Sequence, residues 1–223
     1  MDNKKLNKRM NISVFIVNHV QVNCYLLWNG KGSDAIIVDP GMCDAREREA
    51  VNRFIADNEL RLKSVLLTHQ HFDHILSASY MASEYGVEVC ASVADNLLGE
   101  HLPQQVAQFG LPYRCEPLTV THNLKHGDML ELNGENIEVI GVPGHSPGGL
   151  AFYLAESGCV FTGDSLFRRS IGRTDLPGGN EALLIDSVRK RLLTLPPDTV
   201  AYCGHGDATE IGEERRTNPY LFR

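Results

Sequence analysis

The sequence lacks long apolar runs. No stretch approaches the roughly 18 to 20 apolar residues that a membrane-spanning helix needs. The run that follows the basic residues Lys4, Lys5, Lys8 and Arg9 is too short for a secretory signal. We therefore expect a cytoplasmic protein without a membrane anchor, and a mobile terminus at residues 1–11.

Paired cysteines and an excess of basic residues are missing as well. The six cysteines form no C-x-x-C pair, which argues against a zinc ribbon and against a thioredoxin-type motif, and we interpret them as reduced and mostly buried. The chain has 21 Lys and Arg against 28 Asp and Glu, a formal charge of −7. Since nucleic acids are bound by basic faces, we expect a small-molecule substrate and no nucleic-acid partner; the oligomeric state is left open.

There is no internal repeat and no Pro/Ser-rich linker, so the 223 residues are predicted to form a single domain, 1–223. Apolar runs bounded by turn residues predict strands at 12–17, 24–28, 35–38, 65–68, 87–91, 137–142, 150–154, 159–162 and 199–203. Helical spacing predicts helices at about 44–58, 75–85, 92–99, 103–109 and 181–194. Tight turns between some strands and helices between others predict an α/β fold with mixed sheets covered by helices.

The most informative segment is Thr68-His69-Gln70-His71-Phe72-Asp73-His74, which directly follows a predicted strand. In an extended strand end His69 and His71 point the same way, while Asp73 and His74 lie where the chain turns into a helix. Such a pattern arises in roughly one of a thousand shuffled sequences of this composition. Because closely packed imidazoles repel one another when charged, the segment indicates a bound cation.

Three further segments place a potential ligand beside glycine at the end of a predicted strand. They are Pro143-Gly144-His145-Ser146-Pro147-Gly148, Thr162-Gly163-Asp164 and Cys203-Gly204-His205-Gly206. Each alone is more often an ordinary turn, but all share the strand, glycine and ligand order. Since glycine lets the backbone approach closely and turn sharply, we expect these ligands to gather with His69 at one sheet edge.

In this order the motifs HxHxDH, PGHSPG, TGD and GHG resemble the metallo-β-lactamase superfamily over nearly the whole chain, from the strands near residue 12 to His205. The resemblance implies an αβ/βα four-layer sandwich of two mixed β-sheets flanked by helices, with two metals at one sheet edge. It implies one metal bound by His69, His71 and His145, a second bound by Asp73, His74 and His205, and Asp164 bridging them. Asp164 also argues against a true β-lactamase, in which this carboxylate is usually replaced.

Within the superfamily, the segment from Gly163 to Phe167 and the segment from Ser170 to Gly179 resemble the glyoxalase II (hydroxyacylglutathione hydrolase) group, especially its short bacterial members. This resemblance implies hydrolysis of S-acylglutathione or a related thioester. Full-length members carry a C-terminal helical domain that helps to hold glutathione, whereas 18 residues follow His205 here. Recognition of glutathione is therefore left open.

A ligand set of nitrogen and oxygen without thiolate suits two divalent ions, with zinc favoured and iron or manganese as alternatives. The hypothesis is that a hydroxide shared by the two ions attacks the thioester carbonyl. Asp73 and Asp164 are the predicted catalytic carboxylates: Asp73 binds metal and orients the hydroxide, and Asp164 holds the metals together. A thiolate leaves readily, since its parent thiol has a pKa near 8.5, so no dedicated general acid is required.

Two other enzyme classes remain as alternatives. A mononuclear iron persulfide dioxygenase also contains HxHxDH and a Gly-Arg-Thr-Asp segment, and its iron would use His69, His145 and Asp164. A phosphodiesterase of the same fold is less favoured, because the chain is acidic and shows no added clamp domain.

Several other polar residues receive structural interpretations. Arg173 and Asp175 are predicted to form an ion pair that holds the loop after Asp164, with a contact to Asp73 or to substrate as the alternative. The remaining histidines match no motif and are predicted to be surface residues or to form local hydrogen bonds: His19, His101, His122 and His126.

Overall fold

A computed structural model describes residues 9–222 of the chain. A mobile terminus is predicted for residues 1–11, and its residues 1–8 lie outside the described residues. In the described part, Met10 is buried and Asn11 begins the first strand. Within residues 9–222, no helix is both long and apolar enough to span a membrane.

Two six-stranded mixed sheets form the centre of the fold. The first contains, in spatial order, β1 (Asn11–Val17), β2 (Val22–Trp28), β3 (Asp34–Val38), β4 (Arg61–Leu66), β5 (Glu88–Ala91) and β6 (His122–Asn123). Strands β1, β2 and β3 pair antiparallel, and β3 through β6 pair parallel. A turn at 29–32 joins β2 to β3.

The second sheet is formed by the later part of the chain. Its strands are β7 (Met129–Leu132), β8 (Glu135–Gly141), β9 (Leu150–Leu154), β10 (Cys159–Gly163), β13 (Val200–Cys203) and β14 (Thr209–Glu210), and a separate small hairpin contains β11 (Leu166–Phe167) and β12 (Ser170–Ile171). The spatial order of the second sheet is β14-β13-β10-β9-β8-β7. Only β10 and β13 pair parallel in it, so both sheets are mixed.

Helices cover the outer face of each sheet. They are α1 (Ala45–Asp57), α2 (Phe72–Ile75), α3 (Ala78–Tyr85), α4 (Asn96–Glu100), α5 (Leu102–Gln108), α6 (Glu181–Ser187) and α7 (Ile211–Thr217), with a 3-10 turn at Val93–Asp95 and a π-helical turn at Val188–Leu192. Helix α1 begins at Asp44, whose side chain accepts a hydrogen bond from the backbone N–H of Glu47. Helix α3 ends at Gly86, which adopts a left-handed conformation.

Alternation along the strands divides the core into three apolar layers. Leu26 faces the layer between the first sheet and its helices, whereas the next residue, Leu27, faces the layer between the two sheets. Val160 of β10 packs in the third layer with Leu184 of α6. The αβ/βα four-layer sandwich expected from the sequence is therefore confirmed.

The strands that carry the predicted ligands end at one edge, where the two sheets are hydrogen-bonded to each other. The backbone N–H of Leu150 donates to Thr68 O over 2.7 Å, and that of Asn23 donates to Gly204 O over 2.8 Å. The loops that follow β4, β8, β10 and β13 meet here because these bonds fix one sheet against the other.

Candidate metal centre

Three histidines from two different loops face one another at this edge. Nδ1 of His71 lies 2.9 Å from Nε2 of His145, and the same His145 atom lies 3.2 Å from Nε2 of His69. All three side chains are buried. Ligands held 2.0 to 2.1 Å from a tetrahedral ion lie about 3.3 Å from one another. The three nitrogens are spaced for a shared cation.

A second group lies directly beside the first. Oδ2 of Asp73 is 3.2 Å from Nε2 of His205 and 3.6 Å from Nε2 of His74. This group contains one carboxylate among its three donors, and the three donor atoms lie within 4.8 Å of one another. The structure thus places Asp73, His74 and His205 together as a second potential ligand set.

Asp164 lies between the two groups. Its Oδ1 is 3.4 Å from Nε2 of His74, and its Oδ2 is 3.6 Å from Nε2 of both His145 and His205. The pairing of β10 with β13 shifts its register just before this residue, which redirects the chain at the strand end. All seven side chains singled out in the sequence therefore meet within one cluster.

The cluster contains buried polar atoms that no protein group satisfies. Among the described residues, Nε2 of His74 and Oδ1 of Asp164 have no hydrogen-bond partner, and the same holds for Nε2 of His71. An unpaired buried polar atom costs about 1 to 3 kcal/mol. Five imidazoles and two carboxylates that converge in this way fit divalent metal ions, which would satisfy the free donor atoms of His74 and Asp164.

Close backbone approach at this cluster requires glycine at two positions. A Cβ atom on Gly204 would lie 2.1 Å from Oδ1 of Asp164, and one on Gly172 would lie 1.8 Å from the backbone oxygen of the same residue. Neither position leaves room for any larger residue without displacing Asp164.

Outer hydrogen bonds orient most of the histidines. Nδ1 of His74 lies 3.0 Å from Oδ2 of Asp39, Nδ1 of His145 lies 2.7 Å from Arg173 O, and Nδ1 of His205 lies 3.0 Å from Val20 O. Each Nδ1–H can donate to its oxygen, which leaves the lone pair of Nε2 directed at the cluster. His69 follows the same pattern, with Nδ1 3.1 Å from Oγ1 of Thr68.

Two buried aspartates that sequence reasoning missed support these loops. Asp39 accepts hydrogen bonds from the backbone N–H of Thr68 over 2.8 Å and from its hydroxyl over 2.6 Å. Asp95 accepts from Gly148 N over 2.6 Å, from Ser146 Oγ over 2.7 Å and from Gln70 N over 3.3 Å. Asp39 stands at the end of a buried strand, which is a usable signal, whereas Asp95 lies within a predicted helix and offered none.

Burial and neighbouring charges shift the pKa values of the clustered histidines in opposite directions. Burial lowers the pKa of His69 and lowers the pKa of His71 to about 4, and neighbouring imidazoles add to both shifts. For His74, burial favours the neutral form, but Asp73, Asp164 and Asp39 outweigh it and raise the pKa. The pKa of Asp164 is lowered because nearby histidines, His74 above all, overcome the opposing effect of burial. His69 and His71 therefore stay neutral at neutral pH, as metal ligation requires.

Most of the chain matches a known protein family. The model of the metallo-beta-lactamase superfamily matches residues 17–205, which is most of the chain. The chain belongs to this superfamily. The identification agrees with the motif order in the sequence and with the two mixed sheets of the fold.

Relatives and solved structures resemble this superfamily member over most of its length. Hydroxyacylglutathione hydrolase GloC of Haemophilus influenzae is 41% identical over 213 residues, which cover 95% of this chain and 98% of that protein. The crystal structure of the BLEG-1 B3 metallo-beta-lactamase superposes with a TM-score of 0.86 and 32% identity, covering 96% of this chain and 100% of that one. The structure of TTHA1623 in a di-iron-bound form has a TM-score of 0.82 and 36% identity, covering 94% of this chain and 100% of that one. The structure of ETHE1 from Myxococcus xanthus has a TM-score of 0.76 and 28% identity, covering 94% of this chain and 84% of that one.

A cavity of about 550 Å³ opens onto the cluster of donor residues in this superfamily member. The donor residues that line it are His71, Asp73, His145, Asp164 and His205. Apolar residues form much of the remaining lining: Val20, Phe72, Leu98, Phe109, Leu111, Phe167, Leu176 and Pro177. A small molecule in the cavity would therefore contact both donor groups and an apolar surface.

The other polar residues singled out in the sequence make local contacts. The predicted ion pair of Arg173 and Asp175 is present, with two contacts of 2.7 Å, and both side chains are exposed. The other histidines lie outside the cluster: His19 contacts Tyr113, His101 bonds to Leu97 O, His122 lies near Glu88 and His126 accepts from Gly141 N. The cysteines are free, and four of the six are buried.

Proposed function

We propose that the chain is a metal-dependent thioester hydrolase that acts on S-acylglutathione or a related thioester. The observation that carries the proposal is the position of the Asp164 carboxylate within 3.6 Å of histidines from both donor groups. Such a carboxylate can bridge two ions. The 41% identity to hydroxyacylglutathione hydrolase GloC supports the choice of thioester.

The ligand assignment follows from the two donor groups. One ion would be held by His69, His71 and His145 and the other by Asp73, His74 and His205. Asp164 would be shared between them, because it lies near histidines of both groups. Zinc is the favoured ion, because imidazole and carboxylate ligands suit it well, although iron and manganese accept the same set.

Two ions at this position would lower the pKa of a bound water to near 7 and polarise a carbonyl oxygen. In the reaction, the oxygen of water bonds to the carbonyl carbon and the bond from carbon to sulfur breaks, giving a carboxylic acid and a thiol. Asp73 lines the cavity, so its carboxylate can accept a hydrogen bond from the attacking water and orient it. The cavity admits the substrate on the same side, because Asp73, His145 and Asp164 all face it.

The decisive experiment combines elemental analysis with a hydrolysis assay on one sample of the purified protein. We expect two metal ions per chain and release of thiol from S-D-lactoylglutathione, with no oxygen uptake. Protein stripped of metal by a chelator should be inactive and should recover when zinc is restored. Hydrolysis at the normal rate by the metal-free protein would contradict the proposal.

A mononuclear iron persulfide dioxygenase is the second candidate. It rests on His145, whose Nε2 lies 3.2 Å from Nε2 of His69 and 3.6 Å from Oδ2 of Asp164, so that two histidines and one carboxylate also converge here. One iron per chain with persulfide-dependent oxygen uptake would favour it. A chromogenic β-lactam tested on the same sample decides whether lactam hydrolysis accompanies either activity.

A further inference from the structure

One side of the cavity presents an apolar surface next to the donor residues. We call it the apolar wall and define it by Phe72, Leu98, Phe109 and Leu111. Phe72 lies in the chain between two donor residues that face the cavity, His71 and Asp73. The apolar wall therefore begins at the reacting centre and continues away from it.

The wall is fixed to the loop that carries the donors. The rings of Phe72 and Phe109 pack with their centroids 5.0 Å apart. Gln105 accepts a hydrogen bond from Phe72 N over 3.2 Å, and its amide donates to Leu98 O over 2.7 Å and to Gln70 O over 3.2 Å. These bonds hold α4 and α5 against the loop, so the apolar side chains keep a defined position relative to the metal centre.

The wall is open to the cavity. Phe109 is 45% exposed, and Leu98 and Leu111 are half-buried. Apolar surface that a ligand covers contributes about 25 cal/mol for each Å² removed from water. A chain of methylenes seated on this surface would bind more tightly as it lengthens.

The charges around the cavity would attract an anionic thiol part of the substrate only weakly. Among the described lining residues, Arg173 is the one lysine or arginine, and two of its guanidinium nitrogens are already bonded to Asp175. The chain as a whole carries a formal charge of −7. The carboxylates of a glutathione carrier would therefore gain little attraction here.

We infer that the thioester substrate carries an apolar alkyl group, and that this group sits against the apolar wall while the thioester carbonyl lies at the metal centre. The inference rests on the proposed thioester hydrolysis and adds the chemical class of the substrate. The alkyl group can belong to the acyl part or to the thiol part, because both are joined to the same carbonyl carbon.

The test measures kcat/KM of the metal-loaded protein on two series of thioesters. In the first series the thiol is N-acetylcysteamine and the acyl chain grows from acetyl to hexanoyl. In the second the acyl group is lactoyl and the alkyl thiol grows from ethyl to hexyl. We expect kcat/KM to rise about fourfold for each methylene that the wall covers, which corresponds to about 0.8 kcal/mol. The series that rises identifies the end of the substrate that contacts the wall.

A matched pair of variants connects this dependence to the wall. Phe109→Ala removes a partly exposed ring from the wall and should reduce the rise per methylene to about twofold or less. Phe109→Leu keeps an apolar contact and should retain most of it. Met129→Ala removes another exposed apolar side chain, on β7 outside the cavity lining, and should leave the rise unchanged.

The outcomes separate this inference from the proposed function. If S-D-lactoylglutathione is hydrolysed well and chain length has no effect in either series, the apolar substrate is wrong and thioester hydrolysis stands. If the metal-loaded protein cleaves no thioester of any length, both the inference and the proposed function are overturned.

Discussion

Asp39 shows how one buried side chain organises the residues around the candidate metal centre. Its carboxylate binds the backbone and hydroxyl of Thr68 through one oxygen each, and it also contacts Nδ1 of His74. The backbone of Asp39 has a φ of 50°, a left-handed conformation that costs a non-glycine residue roughly 1 to 2 kcal/mol. The three hydrogen bonds offset that cost, and one of them fixes the orientation of the His74 ring.

The first residue-scale prediction concerns the shared carboxylate. Asp164→Ala should lower the metal content from two ions to one or fewer, because both donor groups lose a common ligand. Activity should fall by more than about a hundredfold, which is the upper range for removing an outer partner of a ligand. Elemental analysis and the thioester assay measure the two effects.

Asp175→Ala is the matched control for this change. It removes an exposed carboxylate from the neighbouring loop, one that pairs with Arg173 and not with the cluster. Two ions should remain bound. Equal metal loss in both variants would show that the loop, and not the Asp164 carboxylate, governs metal binding.

The second residue-scale prediction concerns the pH dependence of the metal-free protein. Burial lowers the pKa of His71 to about 4, against about 6.5 in an unfolded chain. Between these values the unfolded chain binds a proton that the folded chain does not, so stability should fall as the pH decreases from about 6.5 to about 4. One such group contributes up to about 1.4 kcal/mol per pH unit.

Urea unfolding at several pH values in the presence of a chelator measures this slope. His71→Asn cannot take up the proton and should have a shallower slope than the wild type. A slope unchanged by His71→Asn would show that His71 does not titrate differently in the folded protein.

At the scale of the elements, the site depends on loops that are tied to one another. Asp95 lies in the 3-10 turn before α4, yet its carboxylate holds both the loop after β4, through Gln70, and the loop after β8, through Ser146 and Gly148. These two loops supply all three histidines of the first donor group. A single buried side chain thus fixes their spacing.

The element-scale prediction is that Asp95→Asn weakens metal binding while the fold persists. A carboxamide cannot accept all three hydrogen bonds, because one oxygen is replaced by a donor. Metal affinity, measured by competition with a chelating dye, should fall about 10- to 100-fold. Asp186→Asn, which removes an exposed carboxylate from α6, should leave it unchanged. An unaltered affinity in Asp95→Asn would contradict the positioning role.

The sequence predicts the elements with strong periodicity and fails where the pattern is short. All nine predicted strands overlap observed ones, and most of them are apolar runs whose residues are largely buried. Strands β6, β11, β12 and β14 have two residues each, too few to show alternation, and β7 is largely exposed. The predicted helix 75–85 is divided into α2 and α3, and α2 begins earlier, at Phe72.

The sequence predicts the donor residues of the site more completely than the residues that hold them in position. The seven donor residues stand in local motifs, so composition and order along the chain are enough to find them. Asp95 acts through Gly148, which lies 53 residues away in the sequence, and no local pattern records such a contact. The apolar wall escapes prediction for the same reason, because ordinary apolar residues acquire their role only through the packing of α5 on the donor loop.

At the scale of the whole molecule, the candidate metal centre contains residues from both halves of the chain. Four of the seven donors follow β4 of the first sheet, and the other three follow β8, β10 and β13 of the second. Between the sheets, the side chain of Asn23 also donates to Cys203 O and Gly206 O. Ions at the centre would therefore stabilise the docking of one sheet on the other.

The whole-molecule prediction is a large loss of thermal stability on metal removal. Metal present at a thousand times its Kd stabilises the folded state by about 4 kcal/mol. For a chain of this length that corresponds to a Tm higher by roughly 8 to 16 °C. Calorimetry of the zinc-loaded and chelated protein measures the difference. Equal Tm values would show that the two halves dock independently of the ions.

The positions of the donors along the polypeptide determine the order in which they are synthesised. The first four donors lie within six residues of one another, whereas Asp164 follows 90 residues after His74 and His205 another 41 residues later. Under the proposed ligand assignment, the second donor group is incomplete until the ribosome has added His205. Binding of two ions would therefore be a late step of biosynthesis, and the early sheet would form before both ions can bind.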